Sequence, residues 1–185
     1  MSIESDAYNK HKNLKIAASE LGVKWQTLYV RLKAQGIEVV GDKLRYGSDR
    51  DKLGALGEQM FQDLVPFAKN FNQGKFQSKV DFEVNGLKVD VKAGKPRQLN
   101  KRFKALSWSF SFKKQALVAD FIVCFCLDEE KNIEHILLVP NEFFVGLQTV
   151  SVSKDGGSKW LDYKIDPQDL AAFFLSYTLF NLEKT

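Results

Sequence analysis

The sequence predicts an α/β protein: a mixed β-sheet flanked by helices, preceded by a small all-α domain. Three observations predict it. Residues 79 to 92 alternate polar and apolar with period two on either side of Asn85-Gly86, and Asn-Gly between alternating runs is a strong hairpin signal because both turn positions want positive φ. Phe121 to Leu127 is continuously apolar, as a strand buried on both faces requires. Residues 13 to 37 and 50 to 64 place their apolar residues at helical spacing instead.

The chain has 185 residues, enough for one ordinary domain and a small appended one. With 44% hydrophobic residues and 15 phenylalanines it can build a real core. A net charge of +4 is too modest to announce nucleic acid by itself, so the distribution of charge must carry that question. The N-terminus lacks a basic-then-apolar signal, and the apolar stretch near 116 to 127 is interrupted by Asp120 and too short for a bilayer. The expectation is a soluble, intracellular, cytoplasmic protein with no membrane partner. Cys124 and Cys126 are the only cysteines. Their spacing puts both on one face of a strand, which is neither a redox pair nor half of a zinc site, so both read as core thiols. His11 and His135 stand alone and read as surface or edge residues.

Taken in order, residues 5 to 12 have a weak helical pattern. Ile16, Ala17 and Leu21 then form the stripe of one short helix, Gly22 supplies a turn, and Val23, Leu28 and Leu32 line a second. Small Ala17 and Ala18 permit close helix crossing. Val39 to Tyr46, with Gly41-Asp42 at its turn, reads as a small hairpin or wing, and Gly47-Ser48-Asp49 marks a boundary between domains 1–47 and 48–185. Ser48 or Asp49 caps a helix from about 50 to 64, whose Leu53, Leu56, Met60, Phe61 and Leu64 face the core and which Pro66 ends or bends. Glu58 lies at the margin of that stripe.

A two-residue turn at Asn85-Gly86 sets the hairpin register. Val84 then faces Leu87, Phe82 faces Val89 and Val80 faces Val91 on an apolar side, while Glu83 meets Lys88, Asp81 meets Asp90 and Lys79 meets Lys92 on the polar side. Directly opposed like charges destabilise a ladder, and Asp is a poor strand former. Two such aspartates either face open solvent or share a cation: cross-strand Cβ atoms lie about 4.5–5.5 Å apart, and an oxygen-only site suits Mg²⁺ or Mn²⁺. Lys92, two residues past Asp90, points to the same face.

Beyond the hairpin, residues 94 to 114 contain Lys95, Arg97, Lys101, Arg102, Lys104, Lys113 and Lys114 and no acid, interleaved with Phe103, Trp108, Phe110 and Phe112. That composition suits a surface tracking phosphates. Ser107 to Phe112 alternates small polar with aromatic, giving a strand with one packed face. Residues 128 to 132 turn the chain and 133 to 139 return as a partner strand. A short helix is predicted from Pro140 to about Leu147, and a second hairpin with arms at 150–153 and 160–165 around Asp155 to Ser158. Asp166-Pro167-Gln168-Asp169 opens a final helix to about Thr178, rich in Leu and Phe.

Two resemblances rest on these residues. Gly54-Ala55-Leu56-Gly57-Glu58 on a helix, Asp81 on one strand and Asp90-Val91-Lys92 on the next resemble the PD-(D/E)xK nuclease superfamily over about residues 50 to 140, with Val80 where the family name has proline. The resemblance implies a restriction-endonuclease-like core in which Asp81 and Asp90 hold Mg²⁺ (or Mn²⁺), the Val91 carbonyl completes the shell, Lys92 orients the nucleophile, and Glu58 binds a second ion or a metal-bound water. Leu21-Gly22-Val23, Thr27-Leu28, Arg31-Leu32-Lys33 and Gly36-Ile37 resemble a Fis-like helix-turn-helix. By that likeness Lys24, Trp25, Gln26, Thr27, Tyr29 and Arg31 face double-stranded DNA, with Gln26 suited to adenine and Arg31 to guanine or phosphate. Together they imply a metal-dependent DNA endonuclease, sequence-specific in the manner of a homing or restriction enzyme, acting as a homodimer or homotetramer because one site cuts one strand. Two rivals remain: a non-catalytic helix-turn-helix regulator with a nuclease-like dimerisation domain, and a structure-specific junction resolvase or repair nuclease.

Overall fold

The computed structural model describes residues 2–37, 39, 48–71, 80–98, 105–112 and 118–182, with side chains to Tyr177. The small hairpin expected at 39 to 46, Lys79, and the cations Lys101, Arg102, Lys104, Lys113 and Lys114 lie outside the described residues, apart from Val39. The chain divides into two compact units, Met1–Lys52 and Leu53–Thr185.

Three helices lie wholly within the first unit among the described residues: α1 (Ile3–His11), α2 (Leu14–Glu20) and α3 (Trp25–Ala34). The first two start on side-chain caps: Ser2 Oγ accepts the Ser5 N–H at 3.1 Å and Asn13 Oδ1 accepts the Ile16 N–H at 2.9 Å. The turn into α3 closes α2 with Gly22 at φ +64° and the Val23 N–H bonded back to Ala18 O at 3.0 Å, a geometry that favours glycine. Ala7, Tyr8, Ala17, Ala18, Leu28 and Leu32 form the core, with the alanines admitting the neighbouring helices.

Helix α4 (Asp49–Leu64) begins on a reciprocal cap. Ser48 Oγ accepts the Asp51 N–H at 3.2 Å and Asp51 Oδ2 accepts the Ser48 N–H at 3.1 Å. The second unit then carries a six-stranded mixed sheet in the order β1 (Lys69–Asn70), β2 (Phe82–Val84), β3 (Leu87–Gly94), β6 (Phe121–Leu127), β7 (Ile133–Pro140), β9 (Lys164–Ile165), and a three-stranded sheet of β4 (Arg97–Gln98), β5 (Leu106–Ser111) and β8 (Thr149–Ser153). Strands β3 and β6 run parallel; every other described pair is antiparallel.

The main sheet has a core on each face. On one, Phe82, Val89, Val91, Val123 and Phe125 pack with Phe61 of α4 and Leu170 and Phe174 of α5 (Pro167–Leu182). On the other, Ile122, Cys124, Cys126, Leu137 and Val139 pack with Trp108 and Phe110 of β5, Val150 and Val152 of β8, and Trp160. The unbroken apolar run of β6 serves both cores by alternation. No helix among the described residues is long and apolar enough to cross a membrane.

The second hairpin does not form. Its first arm, β8, pairs with β5, and its second arm is a 3₁₀ turn (Lys159–Tyr163) followed by β9, which pairs with β7. Trp160 sits in the second core with its ring 5.0 Å from Phe144, and the chain runs from it into β9 beside β7. The helix expected from Pro140 is a single 3₁₀ turn (Asn141–Phe144), and the last helix runs four residues beyond Thr178, to Leu182.

Candidate active site

The β2–β3 hairpin turns through Asn85 at φ +51° and Gly86 at φ +86°, with Val84, Glu83 and Phe82 opposite Leu87, Lys88 and Val89. There the ladder stops. Asp81 is not the cross-strand neighbour of Asp90 that a continued register requires: its N–H donates to Val89 O at 3.1 Å, Val89 being the residue already paired with Phe82. The chain bends at residues 80 and 81, and the side chain of Asp81 takes over the missing rung, Oδ2 accepting the Val91 N–H at 2.8 Å. A short carboxylate can compete in this way with a main-chain acceptor. The detour still delivers one carboxyl to the other, because Asp81 acts on Asp90 both through charge and through a side-chain hydrogen bond.

Alternation along β3 sends Val89, Val91 and Ala93 toward α4 and sends Asp90 and Lys92 to the opposite face, beside Ile122 and Cys124 of β6. Asp90 is only 7% exposed. Its Oδ2 forms an ion pair with Lys92 Nζ. Burial pushes the Asp90 carboxyl up to about 6; Lys92 opposes the rise and Asp81 adds to it. For Lys92 burial works against the ammonium, but Asp90 and then Asp81 outweigh it and its pKa rises. Burial, followed by the neighbouring Cys126, keeps the Cys124 thiol well above its ordinary value, and burial pushes Cys126 up to about 12. Neither thiol supplies a thiolate at neutral pH.

Asp81, Asp90 and Lys92 are therefore brought together. Glu58 is half-buried on α4, next to Gly57, which crosses β3 at Ala93 on the face turned away from Asp90. Among the described residues no three His, Cys, Asp or Glu side chains gather closely enough to hold a metal ion, so Glu58 does not join the two aspartates in a three-acid cage. Val91 takes part through its N–H, with its side chain in the helix-side core.

The donor set fits a hard divalent cation. Two carboxyls and one ammonium sum to −1 when ionised, the carboxyls repel each other, and oxygen is the only ligand type that can ionise there at neutral pH.

The expected DNA contacts fall in both units. In the first, Lys24, Trp25, Gln26, Thr27, Tyr29 and Arg31 are all exposed, but Arg31 Nη1 lies 3.3 Å from Glu4 Oε1 of α1. In the second, Arg97 is exposed on β4, whereas Lys95 is engaged with the Glu129 carbonyl and lies 3.7 Å from its carboxylate. Sequence reasoning gave Asp120 no role, yet it extends the hairpin's support. Its Oδ2 accepts the Lys88 N–H and its own N–H donates to Lys88 O, both at 2.7 Å. The one sequence signal was a carboxylate interrupting an apolar run.

No protein-family model matches the sequence, and no curated protein matches it either. Among solved structures, the chain resembles the bacterial homing endonuclease I-Ssp6803I at a TM-score of 0.47 and 15% identity, over 72% of this chain and 96% of that one.

Proposed function

We propose that this chain is a metal-dependent endonuclease of the PD-(D/E)xK kind that hydrolyses phosphodiester bonds in duplex DNA. One observation carries the reading: two carboxyls, Asp81 and Asp90, are pressed together in a largely buried position with Lys92 paired to one of them. A protein interior tolerates such repulsion when a cation relieves it, and carboxyls perturbed by burial and a like charge cluster at functional sites. Asp81 and Asp90 would hold Mg²⁺ or Mn²⁺, with the Val91 carbonyl as a further donor. When bound, the ion polarises a phosphoryl oxygen and acidifies water. Lys92, an ammonium over the whole neutral range, stabilises charge developing on the phosphoryl oxygens and orients the attacking water. Exposed Arg97 and the acid-free segment that contains it supply phosphate contacts.

In this reading α2 and α3 act as a helix-turn-helix that lays α3 in the major groove and selects the sequence, and two copies of the chain supply one site per strand. The test is plasmid cleavage with Mg²⁺ or Mn²⁺ against an EDTA control, together with Asp90→Ala. Cleavage that needs the metal and is abolished by Asp90→Ala, with DNA binding intact, is expected. Cleavage surviving Asp90→Ala removes the assignment, and binding without cleavage in either metal leaves a non-catalytic DNA-binding regulator.

A further inference from the structure

Helix α3 turns Leu28 and Leu32 fully into the core of the first unit. At about 100° per residue, the direction opposite those two belongs to Gln26 and Val30, with Lys33 and Tyr29 to one side. Val30 is 64% exposed, more than Trp25 at 44% or Tyr29 at 40%. Arg31 sits on the flank toward α1, where Glu4 neutralises it. Lys33 lies along the other flank, its Nζ 6.0 Å from the Tyr29 ring centre. Lys24, Arg31 and Lys33 are the charged residues of α3 and its N-cap, with no carboxylate among them.

A lone exposed valine is ordinary on a protein surface. This one occupies the pole of a cationic, acid-free helix between an amide and an ammonium, and that charge pattern selects a polyanion as the partner. Resting on the DNA reading above, we infer that Val30 is a base-reading residue that packs on the C5-methyl group of a thymine in the major groove, with Gln26 one turn earlier on an adenine. The major groove presents that methyl as its one apolar feature, and Gln pairs with adenine N6 and N7. The four helical steps from Gln26 to Val30 span about 6 Å, or roughly two base steps of about 3.4 Å. The half-site should therefore hold an adenine and a thymine within about two steps of each other. Arg31, held by Glu4, is assigned no base.

The experiment uses the full chain in EDTA, so that binding is read without cleavage. Duplexes are selected from a randomised library, and each thymine of the selected site is then replaced by deoxyuridine, which lacks only the methyl. One replacement should weaken wild-type binding about fourfold, the worth of one buried methyl-sized group. Val30→Ala, which trims an exposed side chain, should bind the thymine duplex about fourfold more weakly and be indifferent to that same replacement. The inference is overturned when no thymine is methyl-sensitive, or when Val30→Ala keeps the wild-type sensitivity. A library that enriches no sequence, beside plasmid cleavage that still needs Mg²⁺, also overturns it while leaving the nuclease reading intact; loss of both binding and cleavage removes the two together.

Discussion

Asp81 Oδ2 accepts the Val91 N–H at 2.8 Å, so a side chain just ahead of β2 completes the ladder of β3 at the point where main-chain pairing ends. The same carboxyl presses on Asp90. One residue thus joins the architecture of the hairpin to the charge of the candidate site, and the two roles separate by substitution. Asp81→Ala leaves the Val91 N–H without its acceptor and should cost about 1–3 kcal/mol of stability. Asp81→Asn retains an amide oxygen for that bond and removes one of two repelling charges, so its stability in EDTA should equal or exceed wild type. Both variants lose a carboxylate and should lose metal-dependent cleavage. Urea unfolding in EDTA beside a cleavage assay checks this; an Asn variant as unstable as the Ala variant would show that the bond to Val91 contributes little.

The second prediction concerns pH. The Asp90 carboxyl titrates near 6 in the folded protein, chiefly through burial, against an ordinary value of 3.8. A raised carboxyl pKa means that the folded state holds its proton longer than the unfolded chain. The contribution is fully favourable below about 3.8, falls as pH rises through the interval, and is lost above about 6. Without metal, Asp90→Asn should therefore be more stable than wild type at pH 8, by roughly 2–3 kcal/mol, and the gap should close toward pH 4. Bound Mg²⁺ requires the ionised carboxylate, so added Mg²⁺ should raise the wild-type Tm more at pH 8 than at pH 5 and leave the Asn variant unmoved. Thermal melts of both proteins at the two pH values, with and without Mg²⁺, decide it.

The sequence was informative where the determinants are local. Asn85-Gly86 fixes its own turn through two positive φ angles, Ser48 and Asp51 cap a helix three residues apart, and alternation alone puts Asp90 and Lys92 on one face. It was silent where the outcome depends on distant packing. Strand β8 finds β5 about 40 residues earlier in the chain, and nothing in the local pattern of residues 149 to 153 distinguishes that partner from a hairpin with residues 160 to 165. The bend at Asp81 is hidden for a related reason. Period two persists in the letters through residue 81, while the backbone leaves the ladder because a carboxylate substitutes for a carbonyl. The reach of Glu58 depends on which β3 residue α4 crosses, and helical periodicity does not encode that.

That crossing supports the last prediction. A Cβ built on Gly57 would sit 2.7 Å from the Ala93 Cβ, well inside contact, so α4 lies against β3 only because one of the two positions lacks a side chain. Gly57→Ala gains about 1 kcal/mol of helix propensity but drives a methyl group into a strand that cannot yield without moving its neighbours, and overpacking of this kind costs about 1–3 kcal/mol. Moving α4 or β3 also moves Asp90 and Lys92, three residues and one residue before Ala93, so cleavage should fall by more than the lost stability accounts for at temperatures where the variant is still folded. Removing the opposing methyl should reverse both effects. Gly57→Ala combined with Ala93→Gly transfers the methyl from strand to helix and should recover stability and cleavage toward wild type, a coupling visible in a double-mutant cycle. Additive losses in that cycle would mean that the helix does not hold the strand at this point, and that Gly57 answers to some constraint other than Ala93.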